Sequence, residues 1–272
     1  MLSIYVKVLR SIALVFAAGV AASCTSGLAE NTTNNVPTTE TATRSETERR
    51  PVLVELFTSE GCSSCPPADR LLTHLETQQP IAGAEVVSLA FHVDYWDRLG
   101  WKDRFSSAEF SRRQNDYSAA KRLSSNYTPQ MIVDGGEEFV GSDAVRSTEA
   151  IAKAANREKG KVAIEQNGAM AGVRITGLLP NGDATVFLAV AESGLATDVR
   201  SGENRGRILE HTSVVRELRT IGRVGRGSKG AELSIELPEN AAWDPERLSY
   251  VVFVQESESK RVLAVGRARA RN

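Results

Sequence analysis

The sequence predicts an α/β domain followed by a mainly β, sandwich-like domain. Two observations carry this expectation. Two almost continuous apolar runs, Val52-Leu53-Val54-Glu55-Leu56-Phe57 and Val86 to Val93, flank a segment with helical spacing and read as a βαβ unit. After Gly160 the pattern changes to short alternating segments separated by Gly, Asn, Pro and Ser, which suits a sandwich or barrel.

The chain has 272 residues, 41% of them hydrophobic and 25% charged, a globular composition that excludes disorder throughout. Thirty-three Lys and Arg balance 34 Asp and Glu, so no basic field is available to hold a nucleic-acid backbone. Three His and three Cys suffice for one small site and exclude a multi-metal protein.

At the N-terminus Lys7 and Arg10 precede the apolar run Ser11 to Ala22, the length of a signal-peptide core rather than of a membrane span. The expectation is a signal peptide over residues 1–29 and a periplasmic or secreted protein. Two cleavage sites stay open: after Ala29, or before Cys24 in Ala21-Ala22-Ser23-Cys24, which resembles a bacterial lipoprotein signal. A lipid anchor at Cys24 is the one membrane attachment the sequence offers. Residues 30–50 contain a single aliphatic side chain of any size besides Pro37, Val36, and read as a disordered linker.

Order begins at Pro51, and the expected domains are residues 51–156 and 161–272. Ser63 to Gln78 reads as a helix with Pro66 and Pro67 in its first turn and Ala68, Leu71, Leu72 and Leu75 on one face. Ser106 to Leu123 is a polar, helix-compatible insertion. Gln130 to Val133 and Glu138 to Val140 form a hairpin about Asp134-Gly135-Gly136, and a helix follows from Asp143 to Asn156. Seven short strands are expected between Val162 and Gly266.

Chemistry concentrates at Cys62-Ser63-Ser64-Cys65. A thiol between a buried strand and a helix start faces free amide N–H groups and the positive end of the helix dipole, which favour a thiolate at Cys62. A second thiol three residues on can resolve a mixed disulfide formed at the first. A purely structural disulfide stays open as an alternative, although a loop this short constrains little chain entropy. At the end of the second strand, His92, Asp94, Tyr95 and Trp96 border the same crevice and could contact substrate or pack the insertion helix. The arginine-rich stretch Arg200 to Arg226 could bind an anion or a carboxylate-bearing partner but reads rather as a solvated loop or a source of inter-domain salt bridges, and His74 and His211 read as surface residues.

The strand Pro51 to Phe57 followed by Cys62-Ser63-Ser64-Cys65 resembles the first strand and redox turn of thioredoxins. That resemblance implies that Glu55 is a buried proton acceptor for Cys65, and that Thr128-Pro129 is a cis-proline turn which orients the substrate backbone. Residues Thr58 to Asp69, His92 to Asp97, Tyr127 to Gln130 and Gly202 to Arg207 together look like the secreted bacterial domain-of-unknown-function family 1223, a thioredoxin-like group. The resemblance implies a thioredoxin-like first domain and thiol-disulfide exchange with protein or small-molecule thiols and disulfides. An external redox partner would restore the pair, with no organic cofactor or metal. Two rival readings are a soft-metal carrier built from Cys62, Cys65 and His92, since thiolates suit Cu(I), and an envelope interaction module in which the disulfide is only a clip.

Overall fold

The computed structural model describes residues 49–270, which fall within one compact unit, Thr47–Asn272. The expected signal peptide, Cys24 and nearly all of the linker lie outside the described residues. Among the described residues no helix is long and apolar enough to cross a membrane.

Strand β1 (Arg50–Thr58) is buried almost throughout and pairs in parallel with β2 (Ala84–His92). Between them runs helix α1 (Pro66–Gln78), and beyond β2 come a 3-10 turn (Asp94–Leu99) and α2 (Ala108–Lys121). Antiparallel β3 (Gln130–Val133) and β4 (Glu137–Val140) then lead to α3 (Ala144–Ala155). The remaining strands are β5 (Lys161–Asn167), β6 (Met170–Thr176), β7 (Ala184–Glu192), β8 (Leu195–Asp198), β9 (Ile208–His211), β10 (Val214–Val224), β11 (Gly230–Glu236), β12 (Leu248–Glu256) and β13 (Val262–Arg269).

The expected fold class, a thioredoxin-like α/β domain followed by a separate sandwich-like domain, is corrected by the sheet. Eight strands from both halves of the chain join in one mixed sheet, in the order β13-β12-β7-β10-β2-β1-β3-β4. The protein is mainly β, and its largest element crosses the expected boundary. The physical reason lies in β2, which is buried on both faces and has β1 on only one edge. Its other edge needs backbone partners, and β10 supplies them. Val214 pairs in parallel with Ala90, Ala90 N donates to Ser213 O at 2.8 Å, and Ser88 and Ser213 join their hydroxyls at 2.9 Å.

Alternation sorts the side chains of β1 into two layers. Val52, Val54 and Leu56 meet Leu72 and Leu75 of α1 and Ile151 of α3, whereas Leu53 and Phe57 meet Phe110 and Tyr117 of α2. A three-stranded sheet, β11-β6-β5, packs its alternate residues Ala171, Val173 and Ile175 on β7, β12 and β13. The alternation read after Gly160 is therefore real, but it serves as a cover for part of the large sheet.

The β3–β4 turn follows the sequence reading. Asp134 and Gly135 both have positive φ, and Gly136 N donates to Val133 O at 2.9 Å, as a mirror-image hairpin turn requires. A Cβ on Gly135 would stand 1.7 Å from Lys260 O. Gly135→Ala is expected to lower stability by about 2–3 kcal/mol, since both strain and the clash must be relieved; an unchanged denaturant midpoint would contradict this account.

Candidate functional site

The two cysteines form a disulfide, with Cα atoms 5.4 Å apart. Helix α1 begins at Pro66 and Cys65 is its N-cap, so the start lies three residues later than the sequence spacing suggests. This changes the electrostatic argument. Pro66 and Pro67 carry no N–H, and the amides of Ala68 and Asp69 both donate to Cys65 O, at 2.8 and 3.1 Å. The first-turn donors assigned to Cys62 are therefore absent or already used.

Both cysteines are fully buried (0% exposed), although Ser63 and Ser64 between them are exposed. The tip between β8 and β9, which form a two-stranded sheet of their own, is hydrogen-bonded to the backbone around Cys62. Asn204 is buried there and its Nδ2 donates to Glu60 O at 2.8 Å and to Cys62 O at 2.9 Å. Glu203 Oε2 accepts from Ser63 N at 3.1 Å, and this hydrogen bonding lowers the pKa of the exposed Glu203 carboxyl.

Thr128-Pro129 is a cis peptide, as expected. A Cβ on Gly141 would approach within 3.2 Å of both Ala68 Cβ of α1 and Pro129 Cβ, so Gly141 permits the proline loop to lie against the start of the helix. Trp96 links the same parts. Its indole N–H donates to Thr128 Oγ1 at 2.8 Å, and its Cβ would stand 3.2 Å from a Cβ on Gly61. Cys62, Cys65, Trp96, Thr128 and Pro129 thus gather at one end of the sheet.

Tyr95 also hydrogen-bonds Thr128, whereas other residues singled out in the sequence are engaged elsewhere. Glu55 shares the face of Leu53 and Phe57, away from α1; Arg113 Nε donates to its Oε1 at 2.6 Å and the Tyr117 hydroxyl to its Oε2. With both oxygens engaged, Glu55 holds a buried ion pair rather than an open proton acceptor. Asp94 Oδ1 accepts from the Ser111 hydroxyl at 2.5 Å, and Tyr95 OH donates to Gln114 Oε1 at 3.1 Å. These two side chains fasten α2, and burial raises the Tyr95 pKa.

His92 is buried within a cluster that the sequence reading largely missed. Its Nδ1 lies 2.6 Å from Asp103 Oδ2, which also accepts from Glu60 N at 2.8 Å; Phe105 N donates to Asp103 Oδ1 at 2.9 Å. His211, expected at the surface, is buried because β9 folds it against Glu60 and the His92 ring. Its Nε2 is 3.2 Å from Glu60 Oε1, at ion-pair distance but off hydrogen-bond alignment, and its ring centroid is 5.0 Å from that of His92. Trp101 Nε1 donates to the other Glu60 oxygen at 2.7 Å, and the Thr58 hydroxyl to Asp69 Oδ1 at 2.8 Å.

The cluster shifts its own titrations. Burial opposes charging of His92, yet the adjacent Asp103 carboxylate raises its pKa above 6.5 overall. Burial pushes Asp103 up, but His92 and three hydrogen bonds bring it below 3.8. Asp69 is raised by burial against the pull of His211 and His92. Among the described residues no three His, Cys, Asp or Glu side chains are arranged to hold a metal ion.

Sequence signals for this cluster were slight. Asp69 follows Cys65 by one helical turn and could have been flagged. Asp103 stands in an unpatterned polar stretch, and only the tertiary fold brings Asn204 to Cys62.

The mixed sheet and the cysteine turn together define a β-rich protein with a short-loop disulfide at the mouth of a helix. A family model described as "Protein of unknown function (DUF1223)" matches residues 53–255, and the chain belongs to that family. Among solved structures it is similar to the crystal structure of protein AGR_C_4864 from Agrobacterium tumefaciens, with 26% identity and a TM-score of 0.66, over 83% of this chain and 96% of that one. A β-glucuronidase from Ruminococcus gnavus is 12% identical with a TM-score of 0.19, over 40% of this chain and 14% of that one, and carries no argument. No curated protein matches the chain.

Proposed function

We propose that this is an exported thiol-disulfide exchange protein, periplasmic or secreted, whose working group is Cys62–Cys65. The observation that carries the reading is a disulfide closing a two-residue loop at the start of α1, beside Trp96 and the Thr128-Pro129 turn. A ring so small removes little unfolded-chain entropy, so its value lies more in reactivity than in stability.

In the reducing direction the Cys62 thiolate attacks a substrate disulfide, forming a mixed disulfide and releasing one substrate thiolate. The Cys65 thiolate then attacks Cys62 Sγ, releases the second substrate thiolate and closes the Cys62–Cys65 bond. Two electrons pass to the substrate, and an external dithiol returns them. Trp96 and Thr128 are the side chains best disposed to meet the substrate, while Glu55 has both oxygens engaged by Arg113 and Tyr117. The rival reading, a clip that only shapes the turn, draws its support from the full burial of both sulfurs.

Cys65→Ser is expected to leave Cys62 joined to partners in mixed disulfides that non-reducing gels resolve and mass spectrometry identifies. Absence of such adducts, under conditions in which a control oxidoreductase captures its own, would favour the clip.

A further inference from the structure

The tip between β8 and β9 holds the backbone beside Cys62 through polar contacts of the kind a bound peptide makes. Asn204 presents a carboxamide, chemically a peptide group, to two backbone carbonyls, Glu60 O and Cys62 O. Its own Oδ1 accepts from Arg207 Nη1 at 2.9 Å. Glu203 supplies an acceptor to the Ser63 amide one residue on. Together they take up Glu60 O, Cys62 O and Ser63 N, backbone groups of the cysteine turn that a bound polypeptide could engage in their place. The tip is held at its sides by the Ser201 hydroxyl on Gly100 O and by buried Val199, and Gly202 and Gly206 adopt positive φ within it.

Resting on the exchange reading above, we propose that Asn204 and Glu203 are specificity-determining residues: an internal stand-in for the substrate chain, displaced by an extended cysteine-containing polypeptide and not by a small thiol or disulfide. A peptide partner replaces the lost hydrogen bonds with its own backbone N–H and C=O groups as the tip withdraws. A small disulfide is too short to engage Ser63 N, Cys62 O and Glu60 O together, so it reacts mainly in the fraction of molecules already open.

The experiment measures oxidation of the reduced full chain by a cystine-bridged peptide and by bis(2-hydroxyethyl) disulfide, for wild type, Asn204→Ala and Glu203→Ala. In each case the two protein thiols lose two electrons and the added disulfide becomes two thiols. For wild type the peptide is expected to react faster. Asn204→Ala is expected to accelerate the small disulfide about thirtyfold, the factor corresponding to two lost hydrogen bonds of ordinary net strength, and so to shrink the peptide's advantage. Glu203→Ala changes an exposed side chain, so its folding is safe, and it is expected to shift the ratio the same way by about fivefold.

Unchanged ratios in both variants, with all three proteins reactive, would overturn the stand-in while leaving exchange intact. Failure of all three to react short of unfolding would overturn the stand-in and the exchange reading together.

Discussion

Replacing Arg113 by Ala is expected to cost about 3–5 kcal/mol, the penalty for leaving a buried charge without its counter-ion, and to lower the melting temperature by roughly 10 °C for a unit of this size. The guanidinium donates to Glu55 Oε1, to Gln255 Oε1 at 3.3 Å and to the Tyr117 hydroxyl at 3.2 Å. It also lies 5.1–5.4 Å from the ring centres of Phe91, Tyr117, Phe187 and Phe253, which come from β2, α2, β7 and β12. Burial works against the Arg113 charge, but Glu55 raises its pKa overall. This one side chain therefore ties the first half of the sheet to the second. The double variant Glu55→Gln, Arg113→Met is expected to recover much of the loss, because no buried charge is then stranded. Denaturant unfolding of Glu55→Gln, Arg113→Met and the variant carrying both measures the coupling, and additive effects would refute the account.

Asp103→Ala is expected to cost a similar amount, about 3–5 kcal/mol, since His92 loses its carboxylate and the Glu60 and Phe105 amides lose their acceptor. Its second effect is on pH dependence. The folded-state pKa of His92 is raised, so its contribution is complete below the ordinary value of 6.5 and is lost as pH rises through the folded-state value. The folded-state pKa of Asp103 is lowered, so its contribution is present above 3.8 and is lost as pH falls through the folded-state value. Asp69, whose pKa is raised, also favours the lower end, because its contribution fades as pH rises from its unfolded value through its folded one. Stability is accordingly expected to be greatest in mildly acid solution and to decline above about pH 6.5. In Asp103→Ala the part of that decline due to His92 should flatten, and a wild-type melting temperature still rising between pH 6.5 and 8 would contradict the assignment.

Local patterns in the sequence located most individual elements. The run Val52 to Phe57, the helix through Leu72 and Leu75, the Asp134-Gly135 turn and the hairpin around it all form where short-range rules put them, because periodicity and positive-φ chemistry act over a few residues. Helix α1 starts later than expected because Pro66 and Pro67 suit its first turn, and Cys65 falls at the cap. The hairpin of β8 and β9 was missed because each strand is only four residues long and the arginine-rich tip reads as ordinary solvated loop.

What the sequence determined by itself is the pair Cys62 and Cys65 between a buried strand and a helix and membership of the family, with the cis Thr128-Pro129 bond following from the resemblance. What the tertiary structure decided is which edges pair and which buried charges meet. β10 completes β2, Arg113 claims Glu55, and Asn204 closes over Cys62. The reason is range: turns and helix faces are set by neighbours in the chain, whereas an unpaired strand edge or a buried carboxylate is satisfied by whichever distant group the whole fold delivers to it.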